Sequence, residues 1–176
     1  MTPDDVTAAA QARLVALGAD RIAHPGGTLL AHLGRVHELL RDWGARPPLR
    51  LAGLCHAFYG TDGFATALLP TDRRAELTAL IGTEAEAIVY HYACCDRDAS
   101  YAGLDHTPVV FRDRFTGATA VPSDARLRDF AELTAANEFD LVLVGAIPGQ
   151  VVAPLLRRLR PWLSDPAVRA LDHGLE

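Results

Sequence analysis

Apolar residues recur along this chain with a helical period, and the segments they mark are separated by glycine and proline. Thr2-Pro3-Asp4-Asp5 opens the first segment with a capping hydroxyl, a proline at the first helical position and acids at the positive end of the helix dipole. That helix is predicted to run to about Leu17 and stop at Gly18. Pro25-Gly26-Gly27 breaks the chain, and Thr28 caps a second helix reaching Trp43, with Gly44 after it. Pro47-Pro48 opens a third, nearly all-apolar segment, LRLAGLCHAFYG, expected to stay helical to Gly60. A fourth helix spans Asp72 to Ile81. Thr83-Glu84-Ala85-Glu86 has the form of a capping box for a fifth, through about Cys94.

The stretch PVVFRDRFTGATAVP then changes character. Its β-branched and aromatic residues around Thr116-Gly117 predict one small hairpin at about 108–122, with Arg112-Asp113-Arg114 as an exposed charged turn. Ser123 caps a long helix from Asp124 to about Val144, and a last helical region is interrupted by Pro154 and Pro161. The expectation is a single all-α domain over 1–176 with that hairpin.

Placing the second helix on a wheel at about 100° per residue puts Leu33, Val36, Leu40 and Trp43 within about 40° of Leu29. His32 falls inside this stripe, with His37 and Arg35 on its two edges. His56 is the strongly polar side chain of the apolar third segment, and Asn137 lies on the apolar stripe of the long helix. A buried imidazole or amide must find hydrogen-bond partners. Each of the three is by itself readable as a satisfied core residue. Three of them on three core faces point instead to a shared pocket, since neighbouring helices sit only about 8–10 Å apart.

Composition narrows the function classes. The 176 residues are 49% hydrophobic and 22% charged, with net charge -5. All 17 basic residues are arginine. No global positive field favours nucleic acid. No apolar run of transmembrane length and no leader pattern is present, so neither a membrane nor a secretory route is expected. Cys55, Cys94 and Cys95 form no CxxC unit, which fits a reduced, cytoplasmic protein.

His32-Leu33-Gly34-Arg35-Val36 followed by Leu51-Ala52-Gly53-Leu54-Cys55-His56-Ala57 resembles the opening of the HD-domain superfamily. Those all-α metalloproteins carry a first His, a later His-Asp pair and a distant Asp, and include phosphohydrolases and di-iron oxygenases. A closer resemblance is to an uncharacterised bacterial family of HD-like proteins, through HPGGTLLAHLGRVHELLRDWG, AGLCHAFYGTDGF, an arginine-initiated helix ending IGTEAE, and AANEFD. The resemblance implies an HD-domain-like helical bundle.

Two departures weaken the implied metal centre. Ala57 stands where the superfamily has Asp, and Asn137 with Glu138 beside it stands where the last Asp is expected. Alanine cannot ligate, and a neutral amide is a poor ligand for a first-row metal. A rebuilt set would draw on His24, His32, His56 and His91, with Asp62 helping, and would hold iron, manganese or zinc. No cofactor is the favoured expectation. The leading functional expectation is a small-molecule enzyme in which His32 and His56 act as acid and base and Tyr59 donates to developing negative charge. Arg35, Asp62, Asn137 and Glu138 would bind the polar substrate. The alternatives are a metal-dependent phosphohydrolase or oxygenase with altered ligands, and a non-catalytic binding or interaction domain.

Overall fold

A computed structural model describes residues 2–175. Among the described residues the chain forms nine α-helices and two small antiparallel strand pairs. The helices are α1 (Pro3–Ala16), α2 (Leu29–Asp42), α3 (Pro47–Cys55), α4 (Arg74–Ile81), α5 (Thr83–Cys94), α6 (Arg97–Ser100), α7 (Asp124–Leu143), α8 (Gly149–Leu159) and α9 (Asp165–Gly174). Strands β1 (Ala23–His24) and β2 (Gly27–Thr28) pair, as do β3 (Phe111–Arg112) and β4 (Thr119–Ala120). No described helix is long and apolar enough to cross a membrane.

The helix starts follow the capping chemistry. Thr2 and Asp5 cap each other reciprocally at α1, and the side chains of Thr28, Ser123 and Ser164 accept first-turn amides of α2, α7 and α9. Helix α2 buries Leu29, Leu33, Val36 and Leu40 against α3 and α7, while α3 and α7 also pack on α5. Helix α7 is the pillar of the fold. From Phe130 to Asn137 every side chain is buried, because α2, α3, α5, α8 and α9 surround it.

Four expectations need correction. The third helix ends at Cys55, and the chain continues as a tight turn to Gly60, whose φ of 66° favours a residue without Cβ. A continuous apolar run does not mark where helical hydrogen bonding stops. The capping box at Thr83 does not form, since the N-cap is Gly82 and no side chain caps it. Glu86 turns inward instead, accepting from Arg74 Nε (2.6 Å) and Nη2 (2.9 Å) and from the Tyr59 hydroxyl (2.9 Å). Arg112-Asp113-Arg114 is not simply an exposed turn. Asp113 accepts from the Tyr90 hydroxyl and from the amides of Phe115 and Thr116, and Arg114 donates to the Ala93 carbonyl at 2.7 Å. Finally, Pro25-Gly26-Gly27 is more than a break, because Pro25-Gly26 forms the turn of the β1–β2 pair and Gly27 lies opposite His24. The β3–β4 hairpin lies within its expected span, with Phe111 opposite Ala120.

Candidate functional site

Helix α2 carries His32 and Arg35 one turn apart, and α7 carries Asn137 and Asp140 at the same spacing. Where the two helices pack, these four side chains meet. His32 Nδ1 donates to Asp140 Oδ2 at 2.7 Å, and its Nε2 lies 3.1 Å from Asn137 Oδ1. Asp140, 1% exposed, also accepts from Arg35 Nε (2.6 Å) and Nη2 (3.0 Å) in a fork. Burial raises the Asp140 pKa, but hydrogen bonds and charge from His32 and Arg35 outweigh it and hold the carboxyl below its ordinary value of 3.8. The same arginine reaches the carbonyls of Pro25 and Gly26, tying the β1–β2 turn to this pair.

That turn lays His24 on the site. Its ring stacks on His32 with centroids 4.1 Å apart, and its Nδ1 is buried without a hydrogen-bond partner among the described residues. His56 approaches His32 edge-on at 5.2 Å and packs edge-on with Tyr92 at 5.3 Å. Its Nδ1 donates to the Gly53 carbonyl at 2.7 Å, and this fixes the tautomer with the lone pair on Nε2. Burial is the main cause that pushes the His56 pKa down to about 3, with His32 adding to it. His24 is also lowered, again chiefly by burial and then by His32.

A cavity of about 310 Å³ opens among these groups. His24, His32, His56, Thr61, Arg97, Asn137 and Glu138 supply its polar lining. Asn137 Nδ2 donates to Glu138 Oε1 at 3.2 Å, and Arg97 Nη1 stands 3.8 Å from the same oxygen. Arg97 also donates to the Tyr92 hydroxyl at 3.3 Å. A Cβ on Gly63 would come within 2.7 Å of Arg97 Nη1, so the glycine leaves room for the guanidinium.

Other expected residues lie elsewhere. Tyr59 is buried against Glu86, outside the cavity. Asp62 accepts the Arg97 backbone amide at 2.8 Å and does not line the cavity. His91 stacks on Phe111 at 4.9 Å and lines a different cleft. Arg35 acts through Asp140 and not from the cavity wall. The residues that sequence reasoning missed are Asp140 and Arg97. Asp140 carried a signal, since it closes the AANEFD block one turn after Asn137. Arg97 carried none.

Among the described residues no three His, Cys, Asp or Glu side chains are gathered as ligands. Both ring nitrogens of His32 face side-chain oxygens.

No curated protein and no solved structure matches the chain. Residues 13–97, which hold His24, His32, Arg35, His56 and Arg97 but none of the α7 residues, match the model of a family described as a domain of unknown function (DUF6817).

Proposed function

We propose that the chain is an enzyme performing acid/base chemistry on a small polar metabolite in the cavity between His32, His56 and Asn137. The observation that carries this reading is the line Arg35–Asp140–His32. A buried carboxylate accepts from one imidazole nitrogen and fixes the ring's orientation, which sets Nε2 at the cavity wall as the group to exchange a proton with substrate. His56 takes a different part. With its pKa near 3 it stays neutral at ordinary pH, so its Nε2 accepts a hydrogen bond from substrate and does not act as an acid. Asn137 and Arg97 supply donors for substrate oxygens. A protein of this kind acts on soluble metabolites in the cytoplasm. The HD-domain likeness rests on the sequence blocks, and the two altered positions, Ala57 and Asn137, favour chemistry without the full HD metal centre.

The test is to incubate the protein with pooled polar metabolites and follow their consumption by NMR. One compound should be depleted. His32→Gln should lower its turnover by roughly 10²–10⁴-fold while the ligand still raises the melting temperature. A second reading, a binding module, is favoured by His32 Nε2 already facing Asn137. A compound that stabilises the protein and is never consumed would support it. Undiminished turnover by His32→Gln would remove His32 from the mechanism.

A further inference from the structure

On the opposite side of α5 from His56, the β3–β4 hairpin, the outer face of α5 and the first turn of α7 bound a larger cleft of about 650 Å³. This volume lies in the range of small-ligand sites. Its lining is largely apolar and made of small or flat groups, with Ala118, Ala120 and Val121 exposed along the hairpin. Ala87, Ala118, Ala120, Val121 and Pro122 leave a slot beside the rings of Tyr90, Phe111 and His91. Val121 remains 59% exposed, an apolar surface with nothing laid over it among the described residues.

The rim carries an excess of positive charge: Arg74, Arg112 and Arg126 against Asp113. Arg74 is neutralised by Glu86 and lies over the Tyr90 ring at 3.7 Å. Arg112 is held loosely, 3.6 Å from Asp96. Arg126, exposed on the first turn of α7, makes no ion pair among the described residues, unlike most arginines of this chain. Asp113 is occupied by three donors of its own turn and of Tyr90. His91 adds no charge, because burial and then Arg126 push its pKa down to about 4. Its Nε2 is buried without a hydrogen-bond partner among the described residues, an unusual state for a ring nitrogen at the edge of a cleft.

We propose that this cleft is a second ligand site, separate from the acid/base cavity, for a small anion with a planar apolar body such as an aromatic carboxylate. The flat body lies in the slot against Phe111, Tyr90 and the alanines, and the carboxylate meets Arg126 with Arg112 beside it. A free inorganic anion lacks the apolar part, and a neutral aromatic lacks the charge. The two halves of the site therefore call for both in one molecule.

Calorimetric titration of the full chain with 2-naphthoate, 2-naphthamide and inorganic phosphate tests this, with amide NMR shifts locating the ligand. Naphthoate should saturate the protein and shift residues 87–94 and 111–126. Naphthamide and phosphate should bind at least tenfold more weakly. Arg126→Gln, at an exposed position, should keep the melting temperature and weaken naphthoate at least tenfold. Ala120→Trp, which fills the slot, should do the same and serves if the first variant is unstable. Absence of saturation at millimolar naphthoate would overturn the proposal. So would equal affinity for naphthamide, undiminished binding by both variants, or shifts confined to the His24–His32 cavity.

Discussion

Protonating His56 would place a charge in the interior beside two other imidazoles, and that single fact gives the protein a pH dependence. His24, His56 and His91 all lie below the ordinary histidine value of 6.5, His56 at about 3 and His91 at about 4, with burial the leading cause each time. The folded state therefore binds fewer protons than the unfolded chain between the shifted values and 6.5, and stability falls as pH drops through that window. Each such group contributes up to about 1.4 kcal/mol per pH unit there. Denaturant unfolding should show lower stability at pH 5 than at pH 7, and His56→Gln should shrink the difference by about 1–2 kcal/mol. An unchanged difference would mean that His56 titrates normally. Asp140 acts in the same direction, lower on the pH scale. Its lowered pKa makes its contribution intact above 3.8 and lost as pH falls below that value, at the acid end of the His56 window. Asp140→Asn should cost roughly 2–4 kcal/mol at pH 7, because His32 and Arg35 lose a charged acceptor, with Arg35 partly solvated. A loss under about 0.5 kcal/mol would show that the trio does not stabilise the fold.

Helix α3 meets α2 more closely than ordinary side chains permit, and the reason is one glycine. A Cβ on Gly53 would overlap the Cδ1 of Leu40, which is fully buried and would have to repack within the core. Gly53→Ala should therefore destabilise by about 1–3 kcal/mol despite its better helix propensity. Gly34, on α2, has nothing within 4 Å of the same atom, so Gly34→Ala should stabilise by roughly 0.5–1 kcal/mol. Melting curves of the pair separate close packing from propensity, and equal shifts would refute the contact. At this scale much was legible from sequence. The stripe Leu29–Leu33–Val36–Leu40, the caps Thr28 and Ser123, and the Thr116-Gly117 hairpin depend on neighbours in the chain, and the structure has them where local chemistry puts them. Glu86 was not legible, because Thr83-x-x-Glu86 satisfies the local rule. Its actual partners, Arg74 and Tyr59, lie 12 and 27 residues away.

Across the whole molecule the site is an agreement between distant segments. The stripe positions of His32 and Asn137 place both on core faces, and the two do meet, with His56 beside them. What a helical wheel cannot supply is which groups complete the network. Asp140 is separated from His32 by 108 residues, and Arg97 arrives on a four-residue helix with no pattern of its own. The same distance bears on the domain boundary. The region matching the family of unknown function, residues 13–97, ends before α7, yet α2, α3 and α5 all pack on α7. Removing α7 strips partners from the faces that Phe130, Leu133 and Phe139 cover and leaves His32 without Asp140. At about 1.5–3 kcal/mol for each large apolar side chain, these three losses alone rival the roughly 5–15 kcal/mol by which domains are stable. A fragment of residues 2–97 should thus lack a cooperative thermal transition and show poor amide dispersion, while the full chain melts in one step. A fragment that unfolds cooperatively with a dispersed spectrum would show instead that α1–α5 form a self-sufficient core, and that α7 completes only the cavity.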